Sequence, residues 1–353
     1  MSTRGADGGS ASAPPLRGGR TVRGKAIWPV LATVAAALTP VVLLAILVIL
    51  LISAWPAIAF SGWHFLVGRN WSLGNIYGTK LSRHGGYSAP QGASYGALPF
   101  IVGTALTSAG ALVLAVPVGL GVAVCLAERA HGRWGRILGF FVELIAGVPS
   151  VVFGLWGFIV LVPWLERHGG PGLARVLGFI PFFRGPVLAG QGTLAAVVIL
   201  AAMILPLIAA VGRDALLRVP REMRDQGRAL GLTDWEILRN LVLPEARAGI
   251  LGGVVLALGR ALGETMAVLM VSGTGRLIPH TIYAPTTTMA SAIVVDLDSA
   301  FSDATGMAVH ALAELAVVLL VIAVLVNLAV PIIGRGVSRV AAVLDAGWGE
   351  KAR

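Results

Sequence analysis

Apolar residues run through this chain in long stretches separated by short polar ones, and six stretches are long enough to cross a bilayer. A hydrocarbon core about 30 Å thick needs roughly 20 residues of helix, the form that satisfies its own backbone hydrogen bonds in lipid. The pattern predicts spans over Ile27–Trp55, Leu98–Ala127, Ile137–Leu165, Leu194–Val211, Gly249–Val271 and Val309–Ile332. The fourth is the shortest and carries Pro206, which predicts a kink. Trp28, Trp55, Trp134 and Trp164 fall at span edges, where amphipathic rings favour the headgroup layer. The expected fold is all-α, a polytopic membrane protein of six transmembrane helices.

Composition agrees. Of 353 residues, 56% are hydrophobic and 12% charged, against about 25% charged in a soluble domain; the mean hydropathy is +0.85. The first apolar run is too long for the ~7–15 residues of a secretory signal core, so it reads as a retained span. The single cysteine, Cys125, leaves no basis for an intrachain disulfide. With the N-terminus inside, 19 of the 27 Lys+Arg fall on the cytoplasmic side, 7 outside, and Arg260 within a span. That bias predicts both termini in the cytoplasm and explains the net charge of +10 without nucleic acid.

Residues 1–26, rich in Gly, Ser, Ala and Pro, read as a disordered cytoplasmic tail. Residues 27–55 form the first transmembrane helix, 56–96 an extracytoplasmic loop without a long periodic pattern, 97–340 the transmembrane core, and 341–353 a cytoplasmic tail.

The most informative polar stretch, 213–247, lies between spans four and five. Pro220 suits a first helical position and Glu222 the first turn. This helix is expected to stop at Gly231, a left-handed end. Thr233 and Glu236 then form a capping box, opening a second short helix that ends near Leu243, before Pro244. The spacing of Gly231, Leu241, Leu243 and Pro244 resembles the EAA loop of bacterial ABC importer permeases, with Asp225, Gln226 and Gly227 standing where that loop has Glu-Ala-Ala. The resemblance implies a type I permease core whose loop docks on an ATPase through Asp225, Gly227, Gly231, Leu241, Leu243 and Pro244.

In the fifth span Arg260 and Glu264 sit in apolar sequence. Arg260 is eleven residues past Gly249, about 16 Å deep, where arginine costs ~2.5–3.5 kcal/mol on the lenient insertion scale. Four residues apart on one helix, the two are expected to share a face and pair. They read either as a structural salt bridge or as a polar site on an anion pathway. Arginine offers an oxyanion a planar fork of donors, while Glu264 keeps binding reversible and can accept a proton from protonated phosphate. Glu143 and Ser150 are weaker pathway candidates: Glu143 can pair with Arg133 or Arg136, and Ser150 can satisfy a carbonyl freed beside Pro149. Glu314 and His310 read as interfacial.

The run LGRALGETMAVLMVSG, with YGALPFIVGTALTS, AVPVGLGVAVCLAE, ELIAGVPSVVFGLWGF and TTTMASAIV, is similar to the phosphate-transporter permease of the PstC type over residues 95–340. The resemblance implies an inner-membrane phosphate importer: this permease, a PstA-like permease, a PstB-like ATPase dimer holding ATP and magnesium, and a PstS-like extracytoplasmic phosphate-binding protein. The chain itself shows no GxxxxGK[ST] loop, no Cys/His metal cluster and no nucleophile–base arrangement, so no cofactor and no covalent chemistry are expected in it. Competing readings are a PstA-type sister, a permease for sulfate, molybdate or tungstate, and a stand-alone secondary carrier, for which no internal repeat is visible.

Overall fold

A computed structural model describes residues 27–350 except Thr79, His131 and Leu188; the side chains of 27–30, Trp134 and 329–350 lie outside the described set. The expected disordered tail at 1–26 therefore falls outside it. The described chain divides between Ile49 and Leu50, and each unit is taken by itself.

The helices in chain order are α1 Ile27–Ser61, α2 His64–Val67, α3 Leu98–Val124, α4 Gly132–Ala146, α5 Ser150–Trp156, α6 Val162–Trp164, α7 Gly170–Leu177, α8 Thr193–Leu217, α9 Arg221–Ala229, α10 Asp234–Ile237, α11 Leu243–Leu262, α12 Met266–Ser272, α13 Met289–Phe301 and α14 Met307–Glu350. Two antiparallel strand pairs lie between α2 and α3: β1 Trp71–Ser72 with β4 Ser94–Tyr95, and β2 Leu81–His84 with β3 Tyr87–Pro90.

Six stretches among the described residues are long and apolar enough to cross a membrane: Leu31–Ser61, Leu98–Arg129, Ser150–Leu177, Thr193–Leu217, Asp234–Leu262 and Met307–Leu328. The number matches the hydropathy pattern, but the first helix runs to Ser61, into the loop expected from Pro56, the fourth runs to Leu217 rather than Val211, and two other spans are interrupted. The third begins at Ser150, because Gly147–Pro149 interrupts the helix: Pro149 lacks an N–H and disfavours helical backbone at Val148. Residues 132–146 become the separate helix α4. The fifth is not continuous to Val271. It breaks at Gly263 and resumes as α12.

α8 lies at the centre of the second unit, with Ala195, Ala196, Ile199, Leu200, Met203, Ile204 and Ile208 buried. Small residues let its neighbours close in. A Cβ on Gly110 of α3 would stand 2.8 Å from Val197, and one on Gly253 of α11 would stand 3.0 Å from Val211. This is how helices associate where lipid removes the hydrophobic drive between them. Thr104, Thr107 and Ser108 sit buried on α3 and return their hydroxyls to carbonyls four residues back at 2.8, 2.8 and 2.6 Å, so they cost little in apolar surroundings.

The stretch 62–97 is folded, which its irregular hydropathy did not announce. Gly85 and Gly86, at φ +59° and +83°, close the β2–β3 hairpin. Trp71 packs edge-on against Phe65, Tyr95 and Phe100 at centroid distances of 6.2, 5.7 and 5.2 Å. Together with Met289 and Ala292 of α13 and Met307, Ala311 and Leu315 of α14, they form one apolar cluster.

Candidate translocation site and coupling knob

The loop between spans four and five forms a bent knob. Pro220 is the residue before α9 rather than its first member, and Glu222 lies in the first turn. Gly231 has φ +79°, and Leu232 N–H donates to the Gly227 carbonyl at 3.1 Å, closing the helix end. Thr233 caps α10: its hydroxyl accepts from Glu236 N–H at 3.3 Å, and Glu236 accepts from Thr233 N–H at 2.8 Å. The second helix does not end before Pro244. A π-helical turn, Leu238–Val242, carries α10 into α11, and Pro244 falls in the first turn of α11. Knob and fifth span are one helical rod, Asp234–Leu262.

The six coupling candidates therefore divide. Gly227 is interior: a Cβ there would meet Ile237 at 2.9 Å and Leu241 at 3.0 Å. Leu241 and Leu243 pack partly buried around Ile237, Leu238, Val242 and Ala246, a cluster that reaches Ala123 of α3 and Leu216 of α8. Gly231, Pro244 and Asp225 are exposed, and Asp225 pairs with Arg228 at 3.2 Å. The apolar surface at the tip comes from residues the sequence reading passed over, Leu230 (80% exposed) and Trp235 (64%). The available signal was a leucine and a tryptophan on the polar side of two short helices.

A second link was also missed. Arg224 of α9 donates through Nη1 to both oxygens of Glu128, at 2.5 and 2.6 Å, and through Nη2 to the Leu216 carbonyl at 2.9 Å. Glu128 lies in a π-helical turn that prolongs α3. The knob is thus tied to α3 and α8 as well as to α11.

Arg260 and Glu264 do not form the expected same-face pair, and among the described residues no ion pair joins them. The helix break at Gly263 separates them. Arg260 occupies the last turn of α11 and is exposed, where a cation also suits the helix dipole. Glu264, half-buried, accepts from Ala267 N–H at 3.2 Å and so belongs to the start of α12. Asn327 of α14 lies beside Arg260's neighbour: a Cβ on Gly259 would be 3.4 Å from its Oδ1. This amide in an apolar run had not been singled out.

The α12 side of the break is anchored to α13, which is tied in turn to α3. Ser291 of α13 donates to the Thr265 carbonyl at 3.2 Å, and Thr104 of α3 accepts from Met289 N–H at 2.9 Å. At the end of α12, the Ser272 carbonyl accepts from Thr286 N–H at 2.9 Å. Further along α13, buried Asp296 pairs with Arg276 at 2.5 Å and accepts from the Trp71 indole at 2.8 Å. Burial raises its carboxyl above the ordinary value, with Arg276 and then Trp71 pulling the other way.

The remaining candidates lie elsewhere. Glu143 on α4 is exposed and stands 3.8 Å from Arg213 of α8, not beside Arg133 or Arg136. Ser150 opens α5, half-buried, and among the described residues its hydroxyl bonds no freed carbonyl; Val152 N–H reaches the Pro149 carbonyl, at 3.0 Å. Glu314 is buried, with Oε2 unpartnered among the described residues, and His310 Nδ1 lies 2.6 Å from the Ser53 carbonyl.

Six apolar helices, with a bent polar knob continuous with the fifth, define a polytopic helical membrane protein. The chain belongs to the family of binding-protein-dependent transport system inner membrane components, whose profile matches residues 115–339, and it is a multi-pass inner-membrane protein. The phosphate transport system permease protein PstC 1 of Mycobacterium tuberculosis is 45% identical over 294 residues, 82% of this chain and 87% of the relative. PstC of Pasteurella multocida is 38% identical over 264 residues, 74% and 81% of the two chains. Among solved structures, an inward-facing MetNI methionine ABC transporter aligns at 20% identity and a TM-score of 0.45, over 67% of this chain and 93% of that one.

Proposed function

We propose that the chain is the transmembrane permease subunit of an ATP-driven, binding-protein-dependent phosphate importer. Similarity over 82% of its length to a relative named as a phosphate permease carries the reading. Its partners on this reading are a PstA-like permease, a PstB-like ATPase dimer that binds ATP and magnesium, and a PstS-like phosphate-binding protein, with both termini in the cytoplasm. The chain supplies a path and performs no hydrolysis itself.

The geometry supports a division of labour. The rod Asp234–Leu262 has 29 residues, about 43 Å at 1.5 Å per residue. It has the ATPase-facing knob at one end and Arg260 near the other. Glu264 rides on the separate piece held by α13. Displacing the knob moves Arg260 relative to Glu264, so a guanidinium that meets the anion need not keep the same carboxylate beside it in both states. Glu264 Oε1 is engaged by Ala267 N–H; the other oxygen is the one to accept a proton from phosphate.

Proteoliposomes holding the chain with those three partners test the reading. ATP is expected to drive accumulation of phosphate and not of sulfate, and Glu264→Gln, which keeps an oxygen for Ala267, is expected to narrow that preference. Sulfate accumulation equal to that of phosphate in the unaltered assembly would contradict the substrate assignment.

A further inference from the structure

We propose that α4 carries a binding site for anionic phospholipid, formed by Arg133, Arg136, Ile137 and Phe140. These positions follow the spacing i, i+3, i+4, i+7, which puts them on one face of a helix. They line a groove of about 390 Å³. The groove is polar at one end and apolar at the other: two guanidiniums, then an aliphatic and an aromatic side chain within seven residues, about 10 Å of helix. That is the order of a lipid phosphate followed by the upper part of its acyl chain.

Charge argues for an anion at the polar end. Glu143, the acid that sequence spacing offered to Arg133 and Arg136, is turned toward Arg213 at 3.8 Å. Among the described residues neither arginine has an acidic partner, and both are exposed. Arginine holds phosphate oxygens through parallel N–H donors. A free oxyanion would use the guanidiniums and leave Ile137 and Phe140 without purpose.

The other side of α4 fixes the direction of the groove. Gly135 and Gly139 are buried, and a Cβ on Gly139 would stand 3.4 Å from Arg213 Nη1 on α8. The helix is seated on α8 at Gly139, while the Arg133–Phe140 stripe is exposed at the end of α8 that leads into the knob. The proposal concerns this stripe alone and does not depend on which solute the permease carries.

The test uses the assembled importer in nanodiscs of mixed phosphatidylglycerol and phosphatidylcholine, each supplied in turn with a photoactivatable acyl chain. Labelled peptides are then mapped by mass spectrometry. The wild-type protein is expected to label within 137–141 from phosphatidylglycerol on the order of 30-fold more than from phosphatidylcholine, at about a factor of five to six per arginine. Excess inorganic phosphate is expected to leave that label in place. Arg133→Gln/Arg136→Gln should bring the two lipids to parity, and Arg133→Lys/Arg136→Lys should retain most of the preference. Equal labelling by both lipids in the wild type would overturn the proposal. So would displacement by inorganic phosphate, which marks a solute site, or absence of lipid label because a partner chain covers the stripe.

Discussion

Phosphate accumulation by the reconstituted importer is expected to fall about 10- to 100-fold when Arg260 is replaced by Gln, with the subunit still assembled. The magnitude follows from losing one hydrogen bond to a charged group, worth ~1.5–3 kcal/mol. Arg260 is exposed and makes no ion pair among the described residues, so its removal strands no buried partner. Had its role been only to offset the helix dipole, the change would be a stability loss of about 0.3–1 kcal/mol and transport would persist. Arg260→Lys separates charge from shape. Lysine keeps the cation but not the planar fork, and intermediate uptake is expected from it. Uptake of labelled phosphate, set against subunit abundance in the purified assembly, reads all three.

The second large effect is expected at the strap between α9 and α3. Arg224 and Glu128 are 15% and 25% exposed at their side chains, so breaking the pair should cost about 2 kcal/mol, below the 3–5 of a fully buried pair. The functional consequence is larger than the stability loss. With Arg224→Ala the knob keeps its own core around Gly227 and its apolar contact with Ala123 and Leu216 but loses its polar ties to α3 and α8, so ATP hydrolysis should continue while phosphate uptake drops at least about tenfold. The exchange Glu128→Arg/Arg224→Glu is expected to restore part of the coupling. Recovery is incomplete because a glutamate cannot donate to the Leu216 carbonyl as Arg224 does. The ratio of phosphate transported to ATP hydrolysed is the measurement; an unchanged ratio in Arg224→Ala would remove the strap from the mechanism.

Features carried by local chemistry were legible in the amino-acid order. Six apolar runs gave six candidate spans, and Thr233, Glu236 and Gly231 fixed the ends of the knob's helices because capping depends on neighbours three or four residues away. Hydropathy could not place the breaks. Gly263 and Gly147–Pro149 interrupt stretches that stay apolar on both sides, so a sliding pattern runs through them. The break at Gly263 also undid the Arg260–Glu264 pairing, which assumed one unbroken helix. The Glu128–Arg224 strap joins residues 96 apart, and the Trp71–Asp296 bond joins residues 225 apart. Neither leaves a periodic trace. Gly227 was assigned to the ATPase contact because its position matched a motif, whereas its neighbours place it inside the knob, with Leu230 and Trp235 at the surface.

On the proposed reading, knob and Arg260 share one rod that moves against the piece carrying Glu264. Paired spin labels measure this directly in the assembled importer, with Cys125 replaced. One pair is placed at Asn240 and Leu256 on the rod, and the other at Leu256 and Leu277. On adding ATP, the Asn240–Leu256 distance, about 24 Å for sixteen residues of helix, should stay fixed while Leu256–Leu277 changes by roughly 2–5 Å. A changed distance within the rod and an unchanged distance to Leu277 would mean that the motion is absorbed at the π-helical turn and never reaches Arg260.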